Sequence, residues 1–531
     1  MSSAKNPETS ETSGVRVVLT MTAICMMVVG FNTTAVTTIM PNLKADFDLT
    51  PTELQWVLAI YTVTGATLVS ILSRLGDITG KMDVFLFGMA VFVLGSAIVL
   101  FSQDATLLLA GRCVQGVGAA ALLGTSLVVL NAATPEEQRA AVMGFWGAVV
   151  GLAISIGPIV GGAFANYLSW RGVFATDIVL LSIAFVIGLR VRRQKYVPDT
   201  RTAGAKFDYA SALALILLLG PLSFSLSNSK SLGWGSWMTL LPLVVSAVAL
   251  VALVVTSRRN KSPLVELRYF GQPRYLMSAL GMFLAGFSLF CFFVFFNVFI
   301  QSPDAAGYSA IEAGLAVLPL SVSMFIVSLA APRFLAPYSF QWPLGFGMAA
   351  MTIGFLLLAL TSNSTSFADL WWKLVIVGVG AGMCYSLLPR LGLRLLPEEH
   401  VGEGSGVINT FFYFGGTLGA VLGGLASAIA IRTGLSGVVA ALPDGSTQHE
   451  HLANALTHGT PSQIQELIAG LTPEAGTALS TALRDLQDNA FDSTMLVAAA
   501  GAIAGTLLAL WLLRGPVPPV HSAAELTQPR R

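Results

Sequence analysis

The stretch RLGDITGKMDV, residues 74–84, is a short polar segment between two long apolar runs. Its glycines and Gly-Lys pair look like a degraded phosphate-binding loop, which would make the chain an ATPase. Such a loop needs four residues between its first glycine and its Gly-Lys pair, and then a Ser or Thr that binds Mg²⁺. Here Gly76 and Gly80 are separated by three residues, and Met82 follows Lys81. We therefore interpret the segment as a hinge between two membrane helices.

The composition is that of a membrane protein. Of the 531 residues, 54% are apolar and 11% are charged, and the mean hydropathy is +0.74. A soluble domain carries about 25% charged residues. Apolar runs of about 18 residues or more, long enough to cross a bilayer, recur along the chain. We predict fourteen membrane helices, at residues 15–40, 52–73, 83–102, 106–131, 141–166, 170–191, 208–228, 235–257, 275–300, 309–332, 342–361, 370–395, 404–431 and 492–514.

The fold class predicted from these spans is an all-α membrane protein, because the backbone groups of a chain in lipid must pair internally. An even number of spans places both termini on one side. Most of the 29 Lys and Arg residues lie in the tails and in alternate connections, above all 190–206 and 258–274. Positive charge marks the inner side, so we expect both termini to be cytoplasmic.

The same two basic connections divide the chain. We expect a disordered cytoplasmic tail at 1–14, a six-helix bundle at 15–206, an inserted helix pair with its cytoplasmic linker at 207–273, a second six-helix bundle at 274–515 and a cytoplasmic tail at 516–531. The loop at 432–491 should lie outside. Thr460-Pro461 and Thr472-Pro473 in it are helix-start signals, so we predict a small ordered helical cap or hairpin there.

Cysteine usage and net charge argue against several other classes of protein. The four cysteines lie inside separate apolar runs without a CxxC pair, so we expect buried thiols and neither disulfides nor a metal site. A net charge of +1 gives no field that would attract nucleic acid. We expect no cofactor and no enzymatic centre, because the spans contain no nucleophile–base pair or nucleotide loop.

Six short motifs follow one another along the chain. They are Ser73-x-Leu75-x-Asp77-x-x-Gly80-Lys81, Arg112-x-x-Gln115-Gly116, Gly157-Pro158-x-x-Gly161-Gly162, Ser169-Trp170-Arg171, Gly307-Tyr308-Ser309 with Ala313-Gly314-Leu315, and Gly404-x-Gly406-x-x-Asn409-Thr410. In this order they resemble the signatures of the major facilitator superfamily, and with fourteen spans the chain resembles its drug:proton antiporter family. The resemblance implies the major facilitator fold, with two six-helix bundles plus two inserted helices.

The resemblance also implies roles for two of these motifs. In the hinge, Asp77, Gly80 and Lys81, together with Arg139, are candidates for a latch that holds the inner gate in one conformation, with Asp77 facing a helix N-terminus or a cation. In the fifth span, glycine lets helices approach closely and proline bends a helix. The predicted bend consists of Gly157, Pro158, Gly161 and Gly162.

Ionisable residues inside spans are the candidates for proton coupling, because a charge in the membrane is costly unless it is paired or hydrated. Arg112 lies within the fourth span, and Gln115 is one turn further on. The family usually has an acid in helix 1, where this chain has Asn32, and tends to have Asn where this chain has Asp177. Asp177 has no partner nearby in sequence and is our first candidate for the protonated site. Glu312 is the second.

Aromatic side chains and the remaining polar positions complete the predicted substrate pathway. An aromatic pocket suits lipophilic or cationic compounds through apolar and cation–π contacts. The candidates for this pathway are Asn32, Arg112, Gln115, Trp146, Asn409, Phe412 and Tyr413.

The leading functional hypothesis is a monomeric secondary transporter in the bacterial inner membrane that exports lipophilic or cationic compounds in exchange for protons by alternating access. Its partners would be a small-molecule substrate, protons and the lipid bilayer. The alternative is a proton-independent facilitator, or a carrier of an anionic or neutral metabolite, on the same fold. Loss of the helix 1 acid would suit this alternative, in which Arg112 would bind a substrate carboxylate.

Overall fold

The computed structural model describes residues 7–49, 51–198, 201, 207–233, 235–260, 263–302, 307–334, 340–361, 367–397, 401–440 and 473–514. Fourteen helices in this part of the chain are long and apolar enough to cross a membrane, which confirms the predicted number. They are α1 (Pro7–Phe47), α2 (Pro51–Thr79), α3 (Lys81–Leu100), α4 (Ala105–Ala132), α5 (Glu136–Tyr167), α6 (Arg171–Gln194), α7 (Tyr209–Leu232), α8 (Trp237–Arg259), α9 (Pro273–Gln301), α10 (Ala310–Phe334), α11 (Gln341–Leu358), α12 (Phe367–Leu393), α13 (Val401–Ala440) and α14 (Pro473–Leu512).

Three helices extend furthest beyond the spans that the hydropathy pattern predicts. Helix α1 begins at Pro7, so residues 7–14 are helical and do not form the expected disordered tail. Proline suits the first helical position, and the glutamates at positions 8 and 11 favour a helix N-terminus. Helices α13 and α14 extend beyond their predicted ends into the 432–491 loop. Residues 441–472 lie outside the described residues, but α14 does begin at Pro473, where the Thr-Pro signal predicts a helix start.

The helices form two bundles of six, as predicted, with α7 and α8 as an additional pair. In the first bundle α1 packs on α5 and α6, α2 packs on α4, and α3 packs on α4 and α6. In the second bundle α9 packs on α12, α13 and α14, while α12 also packs on α10 and α11. The bundles meet along two seams, one between α2 and α13 and the other between α5 and α10.

We name the two ends of the molecule after residues that mark them. The Gly80 end carries the α2–α3 connection, and the Asp46 end carries the end of α1. At the Gly80 end the α2–α13 seam is closed, because the Ser70 hydroxyl lies 2.7 Å from the Thr410 hydroxyl. A Cβ atom on Gly406 would lie 2.9 Å from Cβ of Ser73. The α2–α3 connection itself requires glycine, since Gly80 has φ +120°.

The α5–α10 seam is closely packed towards both ends of the molecule. A Cβ atom on Gly144 would lie 2.8 Å from the Ser328 carbonyl oxygen towards the Gly80 end, and one on Gly314 would lie 2.7 Å from the Ile159 nitrogen towards the Asp46 end. At the α2–α13 seam the close contacts of Ser70 and Ser73 lie towards the Gly80 end, whereas Leu58 of α2 and Leu425 of α13, nearer the Asp46 end, both line a cavity between the bundles.

The inserted pair lies beside the α2–α13 seam. Helix α7 contacts both α2 and α13. The Trp56 indole N–H on α2 donates to Asn228 Oδ1 on α7 at 3.3 Å, and the Trp56 ring lies 5.6 Å from the Phe224 ring. These contacts attach the pair to the first bundle.

An ion-pair cluster fastens the Asp46 end of the first bundle. The Trp170 indole N–H donates to Asp46 Oδ2 at 2.7 Å, and Arg171 Nη1 donates to the same oxygen at 3.3 Å. Arg171 also donates to the Ser102 carbonyl oxygen and lies over the Trp170 ring. The Ser-Trp-Arg motif thus ties the ends of α1, α3 and α6 together.

Candidate functional site

A buried polar network crosses the first bundle, and Arg112 on α4 is its only cation in the described residues. The Arg112 side chain is 1% exposed. Its Nε donates to the Val57 carbonyl oxygen on α2 at 3.0 Å, and its guanidinium lies 4.4 Å from the centre of the Tyr61 ring. Its Nη1 donates to Asn32 Oδ1 at 2.5 Å and to Gln115 Oε1 at 2.9 Å. These contacts compensate for the removal of the charge from water.

Asp177 on α6 is the acid of the same network, and it is fully buried. Its Oδ2 accepts hydrogen bonds from Asn32 Nδ2 at 2.7 Å, Ser96 Oγ at 3.2 Å and Gln115 Nε2 at 3.2 Å. Asp177 has no partner nearby in sequence, as expected, and its partners come from α1, α3 and α4. Its other oxygen, Oδ1, is buried without a hydrogen bond.

Two side-chain amides join the cation to the acid. Asn32 and Gln115 each accept a hydrogen bond from Arg112 through oxygen and donate one to Asp177 through nitrogen. Arg112 and Asp177 thus balance each other's charge through two parallel bridges. A proton added at Oδ1 of Asp177 breaks none of the three bonds to Oδ2, so the network can change its net charge without losing its hydrogen bonds.

A cavity of about 380 Å³ lies between the two bundles, next to this network. It lies in the half of the molecule nearer the Asp46 end. The lining residues come from α1, α2 and α5 of the first bundle, from α9, α10 and α13 of the second, and from α7 through Leu226. Its size is within the range of pockets that enclose drug-sized molecules.

Thr33 and Tyr61 connect the cavity to the network. Thr33 lines the cavity and follows Asn32 on α1. The Tyr61 and Thr33 hydroxyls both donate to the Val29 carbonyl oxygen, at 3.3 Å and 2.9 Å. Since the guanidinium of Arg112 lies against the Tyr61 ring, a displacement of Arg112 would shift Tyr61 and the neighbouring Thr33 in the cavity wall.

An aromatic cluster closes the cavity towards the Gly80 end. The Phe412 ring lies 5.7 Å from the Phe290 ring, 5.0 Å from the Tyr385 ring and 5.3 Å from the Tyr413 ring, all edge-on. Phe290, Phe412 and Tyr413 surround only a small void below the main cavity. Phe412 and Tyr413, which the sequence predicts as pathway residues, thus form the floor of the main cavity together with Phe290.

The predicted bend of α5 packs closely against α1. A Cβ atom on Gly157 would lie 2.6 Å from the Phe31 carbonyl oxygen, and one on Gly161 would lie 2.6 Å from the Ala35 carbonyl oxygen. Pro158 lines the cavity, and Gly162 is buried. The motif therefore brings the backbones of α1 and α5 together beside the cavity.

The predicted latch residues lie at the Gly80 end. Lys81 Nζ lies 3.5 Å from Asp77 Oδ1, and both side chains are buried. Asp77 continues the face of α2 that carries Ser70 and Ser73, seven and four residues earlier, and this face contacts the beginning of α13. Arg139 Nε donates to the Thr134 carbonyl oxygen in the α4–α5 turn.

Three predicted site residues have other surroundings. The Glu312 carboxylate is exposed and accepts hydrogen bonds from the Ser309 N–H and hydroxyl, both at 2.8 Å, so it caps α10. We therefore remove Glu312 from the coupling candidates. The Trp146 indole donates to Ser126 Oγ between α4 and α5, and the Asn409 amide donates to the Ser405 carbonyl oxygen of its own helix. Neither residue lines the cavity.

Sequence reasoning missed two network residues and one wall of the cavity. Ser96 and Tyr61 are ordinary residues in apolar helices, and nothing in their local sequence marks them. The run Asn-Thr-Thr-Ala-Val-Thr-Thr at 32–38 is a signal that could have been used, because its threonines recur at helical spacing. No group of three metal-ligating side chains occurs in the ranges that the structure describes. Cys25, Cys291 and Cys384 are buried free thiols, and Cys113 is half-buried.

Comparison with known proteins identifies the relatives of this chain. The sequence profile of the Major Facilitator Superfamily matches residues 22–420. The multidrug resistance protein Stp of Mycobacterium tuberculosis (strain ATCC 25618 / H37Rv) is 26% identical over 434 residues, which is 81% of this chain and 79% of that protein. The cephamycin export protein CmcT of Amycolatopsis lactamdurans is 31% identical over 423 residues, which is 78% of this chain and 86% of that protein.

Among solved structures, the human organic anion transporter MFSD10 (TETRAN) matches with a TM-score of 0.57 and 12% sequence identity. The match covers 94% of this chain and 99% of that chain. At this identity the match establishes the fold alone.

Proposed function

Because this chain belongs to the major facilitator superfamily, we propose that it is a proton-driven exporter of small lipophilic molecules. Its relatives include proteins named for multidrug resistance and for cephamycin export. The observation that carries proton coupling is the buried carboxyl of Asp177, which shares two amide bridges with Arg112. Asp177 retains one oxygen to accept a proton.

The coupling would pass from Asp177 to the cavity through Arg112. Ionised Asp177 balances the guanidinium of Arg112, whereas protonated Asp177 leaves a buried positive charge without its counter-charge. Such a charge is costly in a low-dielectric interior. The cost favours a movement of Arg112, and Tyr61 and Thr33 transmit that movement to the cavity wall.

Alternating access would use the two seams between the bundles. In this conformation the bundles are joined at the Gly80 end through Ser70 and Thr410, and the cavity lies towards the Asp46 end. Rocking of the bundles would break the first contact and expose the cavity at the Gly80 end. The Asp77–Lys81 pair and the beginning of α13 would hold the closed arrangement.

We place the protein in the bacterial inner membrane as a monomer, with both termini and the Gly80 end in the cytoplasm. The distribution of Lys and Arg supports this orientation. We assign it no catalytic step, because the proposed role of the Arg112–Asp177 network is to bind and release a proton.

The test is substrate-driven proton movement in liposomes that contain the purified protein and a fluorescent pH reporter. A pH gradient is imposed, and lipophilic compounds are then added. Substrate-dependent dissipation of the gradient, absent from protein-free liposomes, is the expected result. Equilibration of the compound without proton movement would identify the chain as a facilitator, the alternative that Asn32 favours at the level of sequence.

A further inference from the structure

The two walls of the cavity offer different chemistry. One wall consists of threonines on α1 and α2, namely Thr33, Thr34, Thr37 and Thr62. The opposite wall is the aromatic face of α9, with Phe290, Phe293, Phe295 and Phe296. A molecule held between them has one polar side and one apolar side.

The hydroxyl hydrogens of the threonine wall are already used. Thr33 Oγ1 donates to the Val29 carbonyl oxygen at 2.9 Å, Thr37 Oγ1 donates to the Thr34 carbonyl oxygen at 2.6 Å, and Thr62 donates within its own helix. Each oxygen keeps lone pairs that accept hydrogen bonds. This wall therefore receives hydroxyl or amide N–H donors of a bound molecule.

Asn297 supplies the complementary group at the end of the aromatic wall. Its Oδ1 accepts a hydrogen bond from Gln301 Nε2, so its own side-chain N–H groups are the donors that remain for the cavity. A bound molecule thus meets acceptors on α1 and α2 and a donor on α9.

None of the described residues that line the cavity is ionisable. The nearest charged groups of the network, Arg112 and Asp177, are buried behind Thr33 and Tyr61 and are joined through Asn32 and Gln115. Glu312 neighbours the lining residue Ala313 but is bound to Ser309. A cation in this cavity would lose its water and meet neutral threonine oxygens and phenylalanine faces, which compensate for only part of that loss because no carboxylate balances the charge.

Building on the proposed proton-driven export, we propose that the substrate class is uncharged amphiphiles with hydrogen-bonding groups along one side and an aromatic or aliphatic body on the other. The uncharged lining of the cavity then selects against charged substrates, while the proton binds at the buried Asp177 carboxyl. Substrate and proton do not compete for one carboxylate.

Equilibrium binding to the purified protein tests the substrate class without reference to transport. The probes are a fluorescent aromatic alcohol and its trimethylammonium analogue on the same ring system. We expect the neutral compound to bind at least about tenfold more tightly. Equal affinities, tighter binding of the cation, or no binding of the neutral compound would overturn the proposal. Proton movement in liposomes is measured separately. If the protein binds neutral compounds selectively but moves no protons, the proposed proton-driven export is rejected and the proposed substrate class stands.

Placing a carboxylate in the cavity should reduce the preference for the neutral probe. Asn297→Asp keeps the acceptor for Gln301 and adds a negative charge, and Thr417→Asp places the same charge on α13. In each variant we expect the cationic probe to gain about tenfold in affinity. If both variants fold and neither gains affinity for the cation, the cavity does not select charge and the proposal fails.

Thr37→Val removes an acceptor from the polar wall. We expect it to weaken binding of the neutral probe about threefold to tenfold, the range for one lost hydrogen bond. Thr20→Val is the matched control, because Thr20 lies on the same helix and bonds its own backbone at Arg16 but is exposed away from the cavity. An equal loss in both variants would contradict the assignment of the polar wall.

Discussion

The side-chain amide of Asn32 lies 2.7 Å from Oδ2 of Asp177, across the contact between α1 and α6. The family resemblance of the sequence implies an acid at the first of these positions and Asn at the second. In this chain the two residue types are exchanged, and the two side chains touch. Since Asp and Asn have nearly the same shape, the exchange moves the carboxyl from one helix to its neighbour without removing it from the network.

The exchange predicts compensation. Asp177→Asn alone leaves the network without a carboxyl, and Asn32→Asp alone gives it two. We expect each single variant to lose proton-driven transport and the double variant Asn32→Asp/Asp177→Asn to recover a substantial part of it, because Arg112 already donates to position 32. Transport in liposomes under an imposed pH gradient is the measurement. A double variant no better than the single ones would show that the carboxyl must stand on α6.

Asp177→Asn should separate coupling from transport. A gradient of about one pH unit supplies about 1.4 kcal/mol per proton and sustains about a tenfold concentration ratio of a neutral substrate exchanged one for one. We expect the variant to reach a ratio of about one while it still equilibrates substrate. Asp104→Asn is the control, because its side chain caps α4 at the surface and asparagine caps equally well. Retention of the full ratio in Asp177→Asn would place the proton elsewhere.

Arg112 and Asp177 should be coupled in stability. Arg112→Gln leaves a buried carboxylate without its counter-charge, and such a loss typically destabilises by about 3–5 kcal/mol. Adding Asp177→Asn removes that charge, so the double variant should be more stable than Arg112→Gln alone. Unfolding of the four proteins in detergent forms a double-mutant cycle that measures the coupling. Additive losses would mean that the charges do not balance each other.

The close approach of α1 and α5 should not tolerate a methyl group. In Gly161→Ala the new Cβ atom would lie 2.6 Å from the Ala35 carbonyl oxygen, and we expect a loss of about 1–3 kcal/mol, as for other overpacked sites. Gly220→Ala on α7 is the matched control, since a Cβ atom there meets nothing within 4 Å. Thermal unfolding of both variants distinguishes them, and equal stability would refute the tight contact.

A disulfide across the α2–α13 seam should arrest transport. Ser70 and Thr410 have hydroxyl oxygens 2.7 Å apart on different bundles. In a background without the four native cysteines, we expect Ser70→Cys/Thr410→Cys to cross-link under mild oxidation and to lose transport at least about tenfold, with recovery on reduction. A cross-linked protein that still transports would show that this contact does not open during the cycle.

The fold was predictable because a bilayer imposes strong rules on sequence. Span length, the bias of Lys and Arg and the ordered motifs suffice for fourteen helices in two bundles. The ends of α1, α13 and α14 were missed because hydropathy reports the membrane boundary and not the end of a helix.

The candidate site was predictable only at ionisable residues, because placing a charge in lipid has a high free-energy cost. Arg112 and Asp177 stand out in apolar runs, but the register that brings Ser96 and Tyr61 to them depends on packing between helices. Glu312 was misassigned although Ser309-x-x-Glu312 is a capping-box pattern that the sequence displays.

Because of the position of α7, the two sides of the cavity are enclosed by different helices. On the α5–α10 side the two bundles seal it directly, whereas on the α2–α13 side Leu226 of the inserted pair is part of its wall. The wall of the cavity on that side therefore depends on the position of α7, so a movement of the inserted pair alone would change how the cavity is enclosed.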